Sequence, residues 1–276
     1  MTTVSGRPCA PYFVMAHHRS GSNFLNDVLQ AHPRIECINE PLSMHTDYFR
    51  HCDLETWTGE EYDPVLLHPS LASHPLLRAF LLDFRTYLLS SNELRLIGFK
   101  ETVLFGKLGW LKAYMPTLKL LLLKRDPCAV VASVLRSNLL AFWDYAHLVP
   151  PAFKALHPDY VATQAPVDPG VQAAEIAAMS VALREDMARR SVGEFDHLEI
   201  DLLSLMNDPE RALHAITQFL GAEPDAGQLE FVLQRQTETR GGTFSSFRSR
   251  DDVENSWRRH LAADQVRVIQ EVLQCA

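Results

Sequence analysis

Arg19-Ser20-Gly21-Ser22-Asn23-Phe24-Leu25 carries residue types at a spacing that can hold a phosphate. Upstream, Tyr12-Phe13-Val14-Met15-Ala16-His17-His18 predicts a buried strand, and the residues after Gly21 suit a helix. A strand, a short turn and a helix start aim several backbone N–H groups at one point. The helix dipole adds positive potential there. Gly21 lets the backbone approach an anion closely. Ser20, Ser22 and Asn23 add side-chain donors, and Arg19 adds a fixed charge. This is not the GxxxxGK[ST] loop of nucleoside triphosphatases, because the basic residue precedes the glycine. The same residues also fit an ordinary strand-to-helix turn with a surface arginine.

A second segment has the same logic. Lys119-Leu120-Leu121-Leu122-Leu123-Lys124-Arg125-Asp126-Pro127 predicts a buried strand with cations at its carboxyl end. Asp126 suits a helix N-cap and Pro127 the first helical position. Arg125 at the strand exit and Ser133 two turns into the helix could hold one anion between them. Ser133 equally fits a small residue packing a helix on a sheet.

Positioning such residues requires alternating strands and helices. Strands are expected near 12–16, 35–38, 95–100, 118–124 and 196–200. Helices are expected near 22–31, 76–90, 103–114, 127–140, 171–190, 209–220 and 263–274. The alternation argues for an α/β fold with a central parallel sheet flanked by helices and joined by right-handed crossovers. Ligands of such sheets bind beyond the carboxyl ends of the strands. Arg19, Glu40, Lys100 and Arg125 all fall at or just after expected strand ends. Two stretches, 43–75 and 141–170, interrupt the alternation and read as long loops. The aromatic and proline-rich 141–170 reads as an acceptor-pocket wall or lid, or as a structural cap or oligomer contact. His17 and His18, adjacent in a strand, should face opposite sides. One would look into the cleft and the other would pack in the core.

The composition narrows the function. With 276 residues, 47% of them hydrophobic, the chain can bury a full core as a single domain over 1–276. A formal net charge of −8 argues against nucleic acid as a partner and makes the cations local, which suits a small anionic ligand. No apolar run is long enough to span a bilayer, and no signal-peptide pattern is present. Five scattered cysteines without a CxxC read as free thiols of a cytoplasmic protein. No HExxH occurs, and no metal site is expected.

The motifs resemble those of one superfamily. Arg19 to Leu25 is similar to the 5′-phosphosulfate loop of sulfotransferases that use PAPS (3′-phosphoadenosine 5′-phosphosulfate). Arg125-Asp126-Pro127 with Ser133 resembles their 3′-phosphate motif. Ile200 to Gly221 is similar to a later block of the family. Asn39-Glu40-Pro41 makes the likeness closer to bacterial carbohydrate and small-molecule sulfotransferases than to the cytosolic animal enzymes. The resemblance implies a P-loop-like three-layer fold. It also implies PAPS as co-substrate, transfer to a hydroxyl of a small molecule or carbohydrate, and no metal. Arg19, Ser20, Gly21, Ser22, Asn23, Phe24, Arg125 and Ser133 become donor-binding candidates. Arg240-Gly241-Gly242 resembles a loop of Arg-Lys-Gly type that closes over the 3′-phosphate, although Gly241 stands in place of the lysine. Ser256-Trp257-Arg258-Arg259 is similar to a tryptophan-basic element near the family's C-terminus.

Sulfuryl transfer requires charge stabilisation at the leaving phosphate and a base for the acceptor proton. Arg19 and Lys100 are candidates for the first role. Arg19 replaces the lysine of the animal enzymes and cannot donate a proton, so it would act as an electrostatic clamp. Glu40 is the candidate base, and it also fits a salt-bridge partner for Arg19. Lys100-Glu101-Thr102 lacks the histidine that the animal enzymes use, and Glu101 is the second candidate base. A kinase of P-loop type and a non-catalytic nucleotide-binding module stand as alternatives. A homo-oligomer is also compatible with the sequence.

Overall fold

In the computed structural model, residues 7–45, 75–137, 140, 145–162, 168–237 and 249–276 are described. The chain runs β1 (Tyr12–Ala16), α1 (Ser22–Gln30), β2 (Ile35–Asn39), α2 (Pro41–His45), α3 (Pro75–Leu89) and β3 (Leu96–Glu101). After a 3-10 turn at Phe105–Lys107 follow α4 (Leu108–Tyr114), β4 (Lys119–Lys124), α5 (Pro127–Arg136), α6 (Tyr145–Leu156) and α7 (Pro169–Ser191). β5 (His197–Asp201), α8 (Leu202–Asn207), α9 (Pro209–Leu220), α10 (Ala226–Thr237), α11 (Arg250–Asn255) and α12 (Ala263–Cys275) complete it.

The sheet order is β2-β3-β1-β4-β5, and every pairing is parallel. Strand alternation divides the core. Val14, Leu121, Leu123 and Ile200 pack with α1 and α9 through Leu25, Val28, Leu29, Leu213 and Ile216. Phe13, Met15, Phe99, Leu120 and Leu122 pack on the other face with α3 and α4. A further cluster joins α5, α6, α7 and α12 through Val131, Phe153, Ala178 and Ile269. β1 is buried throughout, so its continuous apolar run reflects cover on both faces. Its two neighbours place the exits of β3, β1 and β4 side by side.

Three expectations need correction. The stretch 141–170 is not one long loop: Tyr145–Leu156 is a helix with Pro150 and Pro151 inside it. Two prolines read as breakers, but Val149, Ala152 and Phe153 are buried in the α5–α7–α12 cluster. Tertiary burial of that face outweighs the lost backbone bonds. Of the rest of the interruption, 141–144, with Phe142 and Trp143, and 163–167 lie outside the described residues, as does most of 43–75. Second, β1 ends at Ala16, so strand alternation does not separate His17 from His18. Their rings lie 4.1 Å apart, centroid to centroid. Third, Glu40 pairs with Lys100 and not with Arg19.

Candidate active site

The candidate phosphate loop starts where β1 stops. Ser20 N–H donates to His17 O at 3.1 Å, closing the turn. Gly21 is the N-cap of α1 with φ 93° and no side-chain cap. A Cβ on Gly21 would stand 2.8 Å from Leu202 Cδ2, at the movable end of that side chain, so it is the left-handed conformation at φ 93° that favours glycine here. The helix ladder begins at Leu25 N–H, which donates to Gly21 O. The N–H groups of Ser22, Asn23 and Phe24 therefore precede the ladder at the positive end of the dipole.

Arg19 connects this loop to the second motif. Its Nε donates to Ser133 Oγ at 3.0 Å. Arg125 Nη1 donates to Arg19 O at 2.8 Å. Asp126 caps α5 by accepting from Ala129 N–H, with Pro127 in the first turn, as the sequence predicts. Arg19, Arg125 and Ser133 thus form one cationic cluster at the exits of β1 and β4.

A second cluster lies at the exits of β2 and β3. Lys100 is fully buried and faces α1, because Ile97, Phe99 and Glu101 take the other side of β3. Its Nζ donates to Glu40 Oε1 at 2.6 Å and to Asn23 Oδ1 at 2.9 Å. Glu40 follows β2 directly, and its N–H donates to Lys100 O at 2.8 Å, which extends the β2–β3 ladder by one bond. The Glu40 side chain is 26% exposed, so the pair is open on the carboxylate side. Thr102 Oγ1 stands 3.5 Å from Glu40 Oε1.

Backbone strain marks the same places. Arg19 at φ 70° and Glu40 at φ 45° are the non-glycine residues with positive φ among the described residues. A left-handed conformation at such residues costs about 1–3 kcal/mol and gathers at functional sites.

Glu101 behaves differently from its neighbour. Its side chain is fully buried. Oε1 accepts from the N–H groups of Leu42 and Ser43 at 2.7 and 3.0 Å, and Oε2 accepts from Ser43 Oγ at 2.6 Å. Burial pushes its carboxyl up to about 7. These bonds give Glu101 the task of holding the start of α2. The structure also brings in two groups that motif reading missed. Thr102 carries no distinctive spacing. Arg184, buried in α7, donates from Nη1 to Thr102 O at 2.6 Å. A signal for it existed: Ala177, Val181, Arg184 and Ala188 share one apolar helical face, where a charge is out of place. Trp257 is partly buried against the α5–α7–α12 cluster, a packing role. Arg240, Gly241 and Gly242 lie outside the described residues. No group of three His, Cys, Asp or Glu side chains among the described residues is arranged to hold a metal ion.

A family model described as "Sulfotransferase family" matches residues 11–226. Two solved structures share the fold. One is the sulfotransferase domain from the Synechococcus PCC 7002 olefin synthase, with TM-score 0.53 and 17% identity. That match covers 98% of this chain and 96% of that one. The other is the sulfotransferase domain from the curacin biosynthetic pathway, with TM-score 0.56 and 14% identity. It covers 96% of this chain and 98% of that one. The search of curated proteins found no sequence match.

Proposed function

The chain belongs to the sulfotransferase family, and from that premise we propose that it transfers the sulfuryl group of PAPS to a hydroxyl of a small-molecule or carbohydrate acceptor, with Glu40 as general base. The observation that carries the reading is the buried Lys100–Glu40 pair, joined to the phosphate loop through Asn23. A module that only binds nucleotide gains nothing from an ammonium buried this way, beside a strained and partly open carboxylate.

PAPS supplies the activated sulfuryl group when bound. In this reading the N–H groups of Ser22, Asn23 and Phe24 bind its phosphosulfate, helped by the side-chain donor of Ser22; the hydroxyl of Ser20, expected to join them, instead donates to His17 O. Arg19, Arg125 and Ser133 hold the 3′-phosphate cluster, and the Arg19 guanidinium adds charge between the two anionic ends. Glu40 accepts the acceptor's hydroxyl proton at its carboxylate. The new S–O bond forms as the bond from sulfur to the phosphate oxygen breaks, and the electron pair leaves with PAP, the nucleotide left after transfer. Lys100 orients Glu40 and places positive charge where the leaving group becomes more negative.

Thermal unfolding with PAP and with ATP–Mg²⁺ tests this reading. PAP should stabilise the protein by mass action, and more than ATP–Mg²⁺ does. Stronger stabilisation by ATP–Mg²⁺ would favour a kinase.

A further inference from the structure

Glu40, the proposed base, is held unevenly. Lys100 Nζ donates to its Oε1 at 2.6 Å, and Thr102 Oγ1 stands 3.5 Å from the same oxygen. Oε2 has no hydrogen-bond partner among the described residues. An ionised carboxylate can accept on both oxygens. Here the donors of the chain gather on one of them.

Thr102 is placed from α7. It lies one residue beyond Glu101, the last paired position of β3. Its carbonyl accepts from Arg184 Nη1 at 2.6 Å. Arg184 is 2% exposed, and its guanidinium carbon lies 5.6 Å from the ring centroid of the buried Phe105. A planar guanidinium set against a ring and a carbonyl has little freedom. Burying a charge is costly where an apolar side chain of similar length would pack, so packing alone does not account for the arginine.

Threonine is stiff at χ1, so the orientation of its backbone sets where its hydroxyl points. The Arg184 bond therefore reaches Glu40 through a single residue. The carbonyl of Thr102 is fixed from α7, and the hydroxyl of the same residue faces Glu40 Oε1. That contact is long for an O–H···O bond. Catalytic hydrogen bonds of this kind tighten in the substrate complex.

We propose that Thr102, held by Arg184, is a positioning residue for sulfuryl transfer: with Lys100 it occupies Oε1 of Glu40, so that Oε2 takes the acceptor's proton. The role rests on the sulfuryl-transfer reading. Thr102 and Arg184 act through Glu40 and keep their own protons.

Two measurements test this, the first without any ligand. Urea unfolding of the wild type, Thr102→Val, Glu40→Ala and the double variant gives the coupling between the two side chains. The two effects on the unfolding constant should fall short of multiplying by about five-fold, within the range of one net hydrogen bond. The second measurement is PAP release from PAPS, with water and with benzyl alcohol as acceptors. At saturating PAPS, Thr102→Val should lower the rate by about ten-fold or more, as misplacement of a reacting group does. KM for PAPS and PAP affinity should stay unchanged, and PAP affinity also serves as the folding control. Thr102→Ser should recover most of the loss, because it restores the hydroxyl. Arg184→Met should slow release by a similar factor and add nothing in the Thr102→Val background. Arg184→Lys, which still donates, should lose less. Residues with merely structural roles would give losses that multiply.

Unfolding effects that simply multiply, or a near-normal rate in Thr102→Val, would overturn the proposal. So would a Thr102→Ser enzyme as slow as Thr102→Val, or an Arg184→Met loss that persists in full in the Thr102→Val background. If the coupling is present and PAPS releases no PAP, the contact between Thr102 and Glu40 stands and the sulfuryl-transfer reading falls, taking this role with it.

Discussion

Replacing Glu40 with glutamine keeps the shape of the side chain and removes its basicity. Glu40 Oε1 takes a 2.6 Å bond from a lysine that is fully buried. Removing one partner of a buried ion pair costs about 3–5 kcal/mol of stability. Here the carboxamide oxygen still accepts from Lys100, and the carboxylate is 26% exposed. The stability loss for Glu40→Gln should therefore be smaller, about 1–2 kcal/mol. Loss of a general base costs roughly a hundred- to ten-thousand-fold in rate, about 3–5 kcal/mol of barrier. The two effects separate experimentally. Urea unfolding without ligand reads the first, and kcat at saturating PAPS reads the second. PAP affinity should hardly change, because Arg19 to Phe24, Arg125 and Ser133 are untouched. Positive φ at Glu40 adds a control: Glu40→Gly should be more stable than Glu40→Ala by about 1 kcal/mol, and both should be inactive. A Glu40→Gln enzyme with near-normal kcat would refute the reasoning. Weakened PAP binding with recovered kcat would make Glu40 a structural partner of Lys100.

Three further outcomes are expected. Arg125→Ala should erase a preference for PAP over AMP, since a charge-assisted phosphate contact is worth about 1.5–3 kcal/mol; calorimetry giving the two nucleotides equal affinity in the wild type would contradict this. Turnover should survive EDTA, because Arg19, Lys100 and Arg125 supply the positive charge; activity that vanishes with EDTA and returns with Mg²⁺ would oppose it. Glu101, raised from 4.5 to about 7 by burial, binds its proton more tightly folded than unfolded. Its stabilising contribution is full below pH 4.5 and is lost as pH rises through about 7. Glu101→Gln should flatten that fall in urea midpoints between pH 4.5 and 7, and an unchanged slope would show that the group does not titrate there.

All five strands fall within a residue or two of where apolar runs place them, because burial on both faces leaves a continuous signal in β1 and β4. The two strand-turn-helix units that carry Arg19 to Leu25 and Arg125 to Ser133 were legible for a local reason: each is set by its own short stretch of sequence. What spacing does not record is how such units meet. Arg19 reaching Ser133, and Glu40 meeting Lys100 instead of Arg19, depend on which strands are neighbours in the sheet. The order β2-β3-β1-β4 puts Glu40 beside Lys100. The role of Glu101 was hidden because residues 100 and 101 look alike in sequence and face opposite sides of β3. The helix at Tyr145–Leu156 was hidden by Pro150 and Pro151. Its reason for existing is a partner face on α7 that lies outside its own sequence.

The most direct test offers PAPS and ATP–Mg²⁺ together, at equal concentration, with a library of hydroxylated acceptors, and follows PAP and ADP release by mass spectrometry. The account predicts that PAP accumulates in step with a sulfated product, that ADP does not form, and that Glu40→Gln abolishes the PAP. Formation of ADP with a phosphorylated product, and no PAP, would contradict it.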